Sequence, residues 1–125
     1  MKIFNKTEPW PEKVNFVDEN NIMLGFDTSI QCCESADWFI SDHPENKPMK
    51  QGDPNPNLEG WTFDRYFFCE LDDKDGEENY VLMVIFRIVN GEEKKYIHLY
   101  NCSNGYYFHG FEFKIGENII KKGKV

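Results

Sequence analysis

Three glycine-bearing turn signals in the last third of the chain, Asn90-Gly91, Asn104-Gly105 and Gly116-Glu117-Asn118, constrain the fold more than any other feature. They separate four strand-like runs, Tyr80 to Val89, Lys95 to Ser103, Tyr106 to Ile115 and Ile119 to Lys124. Asn-Gly between alternating hydrophobic residues is the strongest local hairpin signal, because both central residues of a type I′ turn need positive φ. The pattern predicts a consecutive antiparallel meander of these four strands.

The rest of the chain reads as compatible with a β fold. Val14, Phe16 and Asp18 alternate with Asn15, Val17 and Glu19, and after Asn20-Asn21 the pattern resumes at Ile22, which predicts a hairpin from about Val14 to Thr28. Pro9-Trp10-Pro11 makes residues 1 to 13 an extended lead-in, since each proline restricts its predecessor. Cys33 to Ile40 lacks period-two alternation and predicts one short helical segment. Residues 41 to 60 hold Pro44, Pro48, Pro54 and Pro56 with Gly52 and Gly60, the composition of a long Pro-rich loop. The expected fold class is mainly β (a β-rich α+β chain), an antiparallel meander or sandwich-like sheet. At 125 residues the chain has material for a single domain.

Rings must supply much of the core, because the chain carries 11 Phe, 6 Tyr and 3 Trp. The formal charge of -8 gives a field that repels nucleic-acid backbones and anionic lipid head groups and steers toward basic partners. Many acidic proteins are nevertheless simply soluble. Asp72, Asp73, Asp75, Glu77 and Glu78 read as a solvated acidic loop, and as the segment that would meet a basic protein surface. Calcium is not expected there, since Gly76 falls at the wrong position for an EF-hand.

No apolar run resembles a signal peptide, and Val81 to Phe86, the longest, is too short to span a bilayer, so cytoplasmic residence is expected. In that compartment Cys32, Cys33, Cys69 and Cys102 are expected as free thiols. Asn101-Cys102-Ser103 then matches a glycosylation acceptor without use.

Taking Asn104-Gly105 as a two-residue turn pairs Tyr100 with His109 and His98 with Phe111. The side-chain period of two then collects Tyr96, His98, Tyr100, Cys102, Tyr107, His109, Phe111 and Phe113 on one face, with Arg87 beside them. That face is ring-rich yet studded with polar groups, and it is the candidate ligand-binding surface. Three chemistries compete for it. Zinc could gather His98, Cys102 and His109 with Cys32 or Cys33, but no paired-ligand spacing is present and no metal is expected. A thiol activated by His98 or His109 could be a nucleophile, yet the chain has no nucleophile elbow, phosphate loop or dinucleotide fingerprint, and no catalytic residue or cofactor is expected. A non-enzymatic binding module, whose rings stack on a small ligand or anchor a protein, needs no special spacing and is the preferred expectation.

Two segments, Gln31 to Ile40 (QCCESADWFI) and His98 to Glu112 (HLYNCSNGYYFHGFE), resemble an uncharacterised family of small proteins from Gram-positive bacteria, their phages and mobile elements. The resemblance spans Val14 to the C-terminus and brings no activity with it. Ser35 and Ser103 stand where relatives are expected to carry histidine, which argues against a shared metal site. A phage setting implies a counter-defence inhibitor that binds a small ligand or a host protein.

Overall fold

The computed structural model describes residues 1–6, 9, 12–29, 35–44, 57–75, 79–103 and 109–125. They form nine strands: β1 (Lys2–Lys6), β2 (Lys13–Val17), β3 (Ile22–Asp27), β4 (Ser35–Ser41), β5 (Thr62–Asp75), β6 (Asn79–Asn90), β7 (Glu93–Ser103), β8 (Gly110–Ile115) and β9 (Asn118–Lys124). Mainly β is the observed class, with two antiparallel sheets ordered β1-β2-β3-β8-β9 and β4-β7-β6-β5. No helix among the described residues is long and apolar enough to cross a membrane.

The first hairpin stands as expected. Val17 pairs with Met23, and Asn21 takes φ 62°, a left-handed conformation that asparagine tolerates well. Asp18 closes this turn: its Oδ1 accepts the N–H groups of Asn20 and Ile22 at 3.0 and 2.9 Å. Its Oδ2 accepts the N–H of Phe63 at 2.8 Å, which ties the hairpin to the start of β5 in the opposite sheet.

The turn between β6 and β7 uses Gly91-Glu92 rather than Asn90-Gly91 as its central pair, with Gly91 at φ 62° and Asn90 opposite Glu93. Positive φ at the first central position alone is the type II′ requirement, which glycine meets without strain. The register moves by two residues, an even step that leaves every side chain on its expected face.

Three expectations are corrected. Ser35 to Ile40 lies in a strand, β4, not a helical segment, because Ala36, Trp38 and Ile40 turn toward one sheet face while Phe39 turns toward the other. The acidic run is strand rather than loop as far as Asp75: β5 and β6 pair from Asp72 opposite Leu82 to Asp75 opposite Asn79. Most consequentially, β7 and β8 are not a hairpin. β7 pairs with β4 and β6, whereas β8 pairs with β3 and β9, so the chain passes from one sheet to the other between them.

The main core lies between the sheets. Val14, Phe16, Leu24, Phe26, Phe111 and Phe113 from one sheet meet Val84, Phe86, Ile88, Ile97 and Leu99 from the other. Edge-on ring contacts dominate it: Phe16 on Trp38 at 5.0 Å and Phe63 on Phe113 at 5.1 Å between centroids. Gly123 makes room for this layer, since a Cβ there would stand 3.0 Å from the Phe111 ring.

Candidate functional site

The expected His/Tyr/Cys face separates into two places. Tyr96, His98 and Tyr100 project from β7 on the outer side of the four-stranded sheet, opposite Arg87, Ile85 and Met83 of β6. Phe111 belongs to β8 of the other sheet, and His109 immediately precedes that strand. Cys102 is described only as backbone in β7, and Tyr107, Cys32, Cys33, Glu77 and Glu78 lie outside the described residues. The same holds for the side chains of Asp72, Asp73 and Asp75, whose backbone runs along β5 at the sheet edge.

What β7 carries on its outer side is a second, smaller core. Phe39, Met83, Ile85 and Tyr96 are buried together, with Phe67, Cys69 and Tyr100 packed against them. His98 is 0% exposed and stacks on Phe39, ring centroids 4.1 Å apart and planes 9° apart. Its Nε2 lies 2.8 Å from Ser41 Oγ and 3.2 Å from the His43 carbonyl, while Ser41 Oγ donates to that carbonyl at 2.7 Å. The arrangement that satisfies all three contacts puts the proton on Nε2, which donates toward both oxygens. In that tautomer Nε2 donates to Ser41 Oγ rather than accepting from it. Met83 Sδ, at 3.4 Å from Nδ1, stands where a catalytic triad would place a carboxylate.

Arg87 stays on this face and its role is internal. Nε donates to Asp64 Oδ2 at 2.9 Å, Nη2 donates to the same oxygen, and the guanidinium lies 4.6 Å over the Phe67 ring. Burial works to raise the Asp64 carboxyl, but the hydrogen bonds from Arg87 and the Tyr66 N–H, with the charges of Arg87 and Lys94, outweigh it and hold the group below its ordinary range. The hydrogen bond to Asp64 in turn raises Arg87.

His109 is anchored elsewhere: Nδ1 donates to the Asp27 carbonyl at 3.0 Å, and its backbone exchanges hydrogen bonds of 2.9 and 2.8 Å with Val125. Phe111 sits in the main core. Among the described residues no three His, Cys, Asp or Glu side chains are grouped to hold a metal ion.

An open concave surface occurs instead on the outer face of the five-stranded sheet, where a trough of about 680 Å³ runs across β2, β3, β8 and β9. The strand registers explain its shape. One cross-strand row reads Asn15, Gly25, Glu112, Lys122, and beyond it Lys13 stands opposite Asp27 and Gly110 opposite Lys124. Gly110 and Gly25 are thus diagonal neighbours on adjacent strands, and their missing side chains form the floor.

Neither glycine is demanded by its backbone, since neither has positive φ. A Cβ at Gly110 would meet nothing closer than the Gly123 carbonyl at 3.8 Å, and one at Gly25 would meet only the movable Asn15 Oδ1, at 2.9 Å. Glycine inside a strand costs about 0.5–1 kcal/mol relative to alanine. Glycine in a strand often marks a bulge, a bend or a place where a ligand or another backbone approaches closely.

Lysines rim the trough. Lys13, Lys114, Lys122 and Lys124 line it together with Glu12, Asp27 and Glu112. None of the four lysines forms an ion pair with a described residue, although Lys122 stands opposite Glu112 in the register. Net composition conceals this because the charge is segregated. The strands of this sheet hold Lys2, Lys6, Lys13, Lys114, Lys121, Lys122 and Lys124 against only Asp27 and Glu112, a positive surplus in a chain of net charge -8. Comparison with known protein families, known proteins and solved structures found no match.

Proposed function

We propose that this protein is a non-enzymatic binding module that captures its ligand in the trough on the outer face of the five-stranded sheet. The supporting observation is the pair of side-chain-free positions, Gly25 within β3 and Gly110 at the start of β8, where neither residue takes positive φ and the only close neighbour an added Cβ would meet is the Asn15 side chain. The trough has the size of a small-molecule site, within the usual range of about 300–1,000 Å³. The opposite outer face does not compete for this role, because its rings are buried against each other.

In the phage or mobile-element setting that the sequence resemblance implies, such a module would act in counter-defence by sequestering a small host molecule. Gly110→Leu tests the site directly, because its side chain would fill the floor without touching the core. Mass spectrometry of compounds co-purifying with the protein from a cell extract should show one carried by the wild type and lost from Gly110→Leu, with melting temperature unchanged. A compound retained equally by both proteins would remove the trough as the site.

A second reading, as a host-protein inhibitor, draws on one feature: the Asp72 to Asp75 run forms the end of β5, an edge strand of its sheet. Charged residues are also common on edge strands, where they discourage strand-to-strand aggregation, so the trough is preferred.

A further inference from the structure

The charge pattern of the trough narrows the chemistry of what it holds. We infer that the trough is a site for a small phosphate ester of nucleotide size, with its ring over Gly25 and Gly110 and its phosphate among Lys114, Lys122 and Lys124. This deepens the binding-module reading and rests on it.

Three observations converge on that class. The floor is bare backbone of two adjacent strands, a surface that accepts a flat ring at contact distance where any side chain would hold it off. Lys122 and Lys124 lie two residues apart on β9, so they project from the same side of the sheet, and Lys114 approaches from the neighbouring strand. Uncommitted ammonium groups with rotatable donors suit the several oxygens of a phosphate. Asp27 and Glu112, also in the trough, are acceptors only, and they match hydroxyl and amino donors of a sugar or base rather than a second anionic group.

The surroundings argue for a short ligand rather than a polynucleotide. A strand running through the trough would pass the carboxylates of Glu12, Asp27 and Glu112 and then meet a molecule of net charge -8. Electrostatic neutralisation, which dominates polynucleotide affinity, is confined to one patch.

Calorimetric titration of the full-length protein with GMP, AMP, guanosine, inorganic phosphate and a fifteen-nucleotide oligo(dT) tests the inference. At least one mononucleotide should bind, about tenfold or more tighter than both guanosine and inorganic phosphate. Its affinity should fall about tenfold or more in Lys122→Gln/Lys124→Gln, as expected for loss of charge-assisted hydrogen bonds. Absence of mononucleotide binding, equal binding of guanosine, or indifference to the lysine substitutions would overturn it. Oligo(dT) binding more tightly than any mononucleotide would also overturn it, in favour of a nucleic-acid surface. Gly110→Leu separates the two levels of the argument. If it loses a co-purifying neutral compound while mononucleotides fail to bind, the trough stands as the site and the phosphate-ester assignment falls.

Discussion

Glycine at two positions in the same pair of strands answers to opposite causes. Gly123 is required by packing, since a methyl group there would press on the Phe111 ring, and Gly123→Ala should cost about 1–3 kcal/mol as an overpacking change. Gly110 is its partner's neighbour in the register and faces open space, so Gly110→Ala should be neutral or stabilising by about 0.5 kcal/mol. Urea unfolding of both variants beside the wild type measures the contrast, and equal losses would mean that Gly110 is also structural. The Asp64–Arg87 pair gives a pH-dependent outcome. Because the carboxyl is held below its usual value of 3.8, the stability it contributes is present above about pH 4 and is lost as pH falls through the lower folded value. The pair is partly solvated, so the effect is at most about 1 kcal/mol. Unfolding curves between pH 2.5 and 5 should be flatter for Asp64→Asn than for the wild type, and parallel curves would refute the contribution.

At the level of elements, local hairpins were legible and sheet membership was not. The hairpin of β2 and β3, and the pairing of β6 with β7, follow from alternation and from asparagine and glycine turn signals that act over a few residues. The pairing expected for β7 and β8 fails because nothing in Asn104-Gly105 reports whether the next strand folds back or crosses to another sheet. Ile97, Leu99, Phe111 and Phe113 all face the main core, yet from opposite sides of it. The period of two showed correctly that β7 has two different faces, but burial of both cannot be read from one strand. Phe39, placed by β4 over His98, is what closes the second face, and β4 was expected as helix. If that face is core, Ile85→Ala, a change at a fully buried position, should cost about 2–5 kcal/mol. A denaturation midpoint within error of the wild type would instead reopen it as a surface. The trough was invisible in the sequence because its residues come from both ends of the chain and its defining feature is absent side chains.

For the whole molecule, net charge gave a correct average and a misleading map. The -8 total coexists with an uncommitted lysine rim on one sheet, so the surface that repels polyanions overall can still admit a compact anion at one place. The division of strands between sheets carries a different consequence, for the order in which the fold can form. β5, β6 and β7 are consecutive and can pair as they are synthesised, whereas β3 must find β8 across more than eighty residues of intervening chain. Until β8 is made, the β3 edge of the N-terminal strands stays open, and Phe16, Leu24 and Phe26 lack the Phe111–Phe113 wall they pack beside. Closure of the five-stranded sheet therefore waits for a long-range pairing, and the lysine trough, which straddles the β3–β8 junction, comes into being only when β8 and β9 have joined β3.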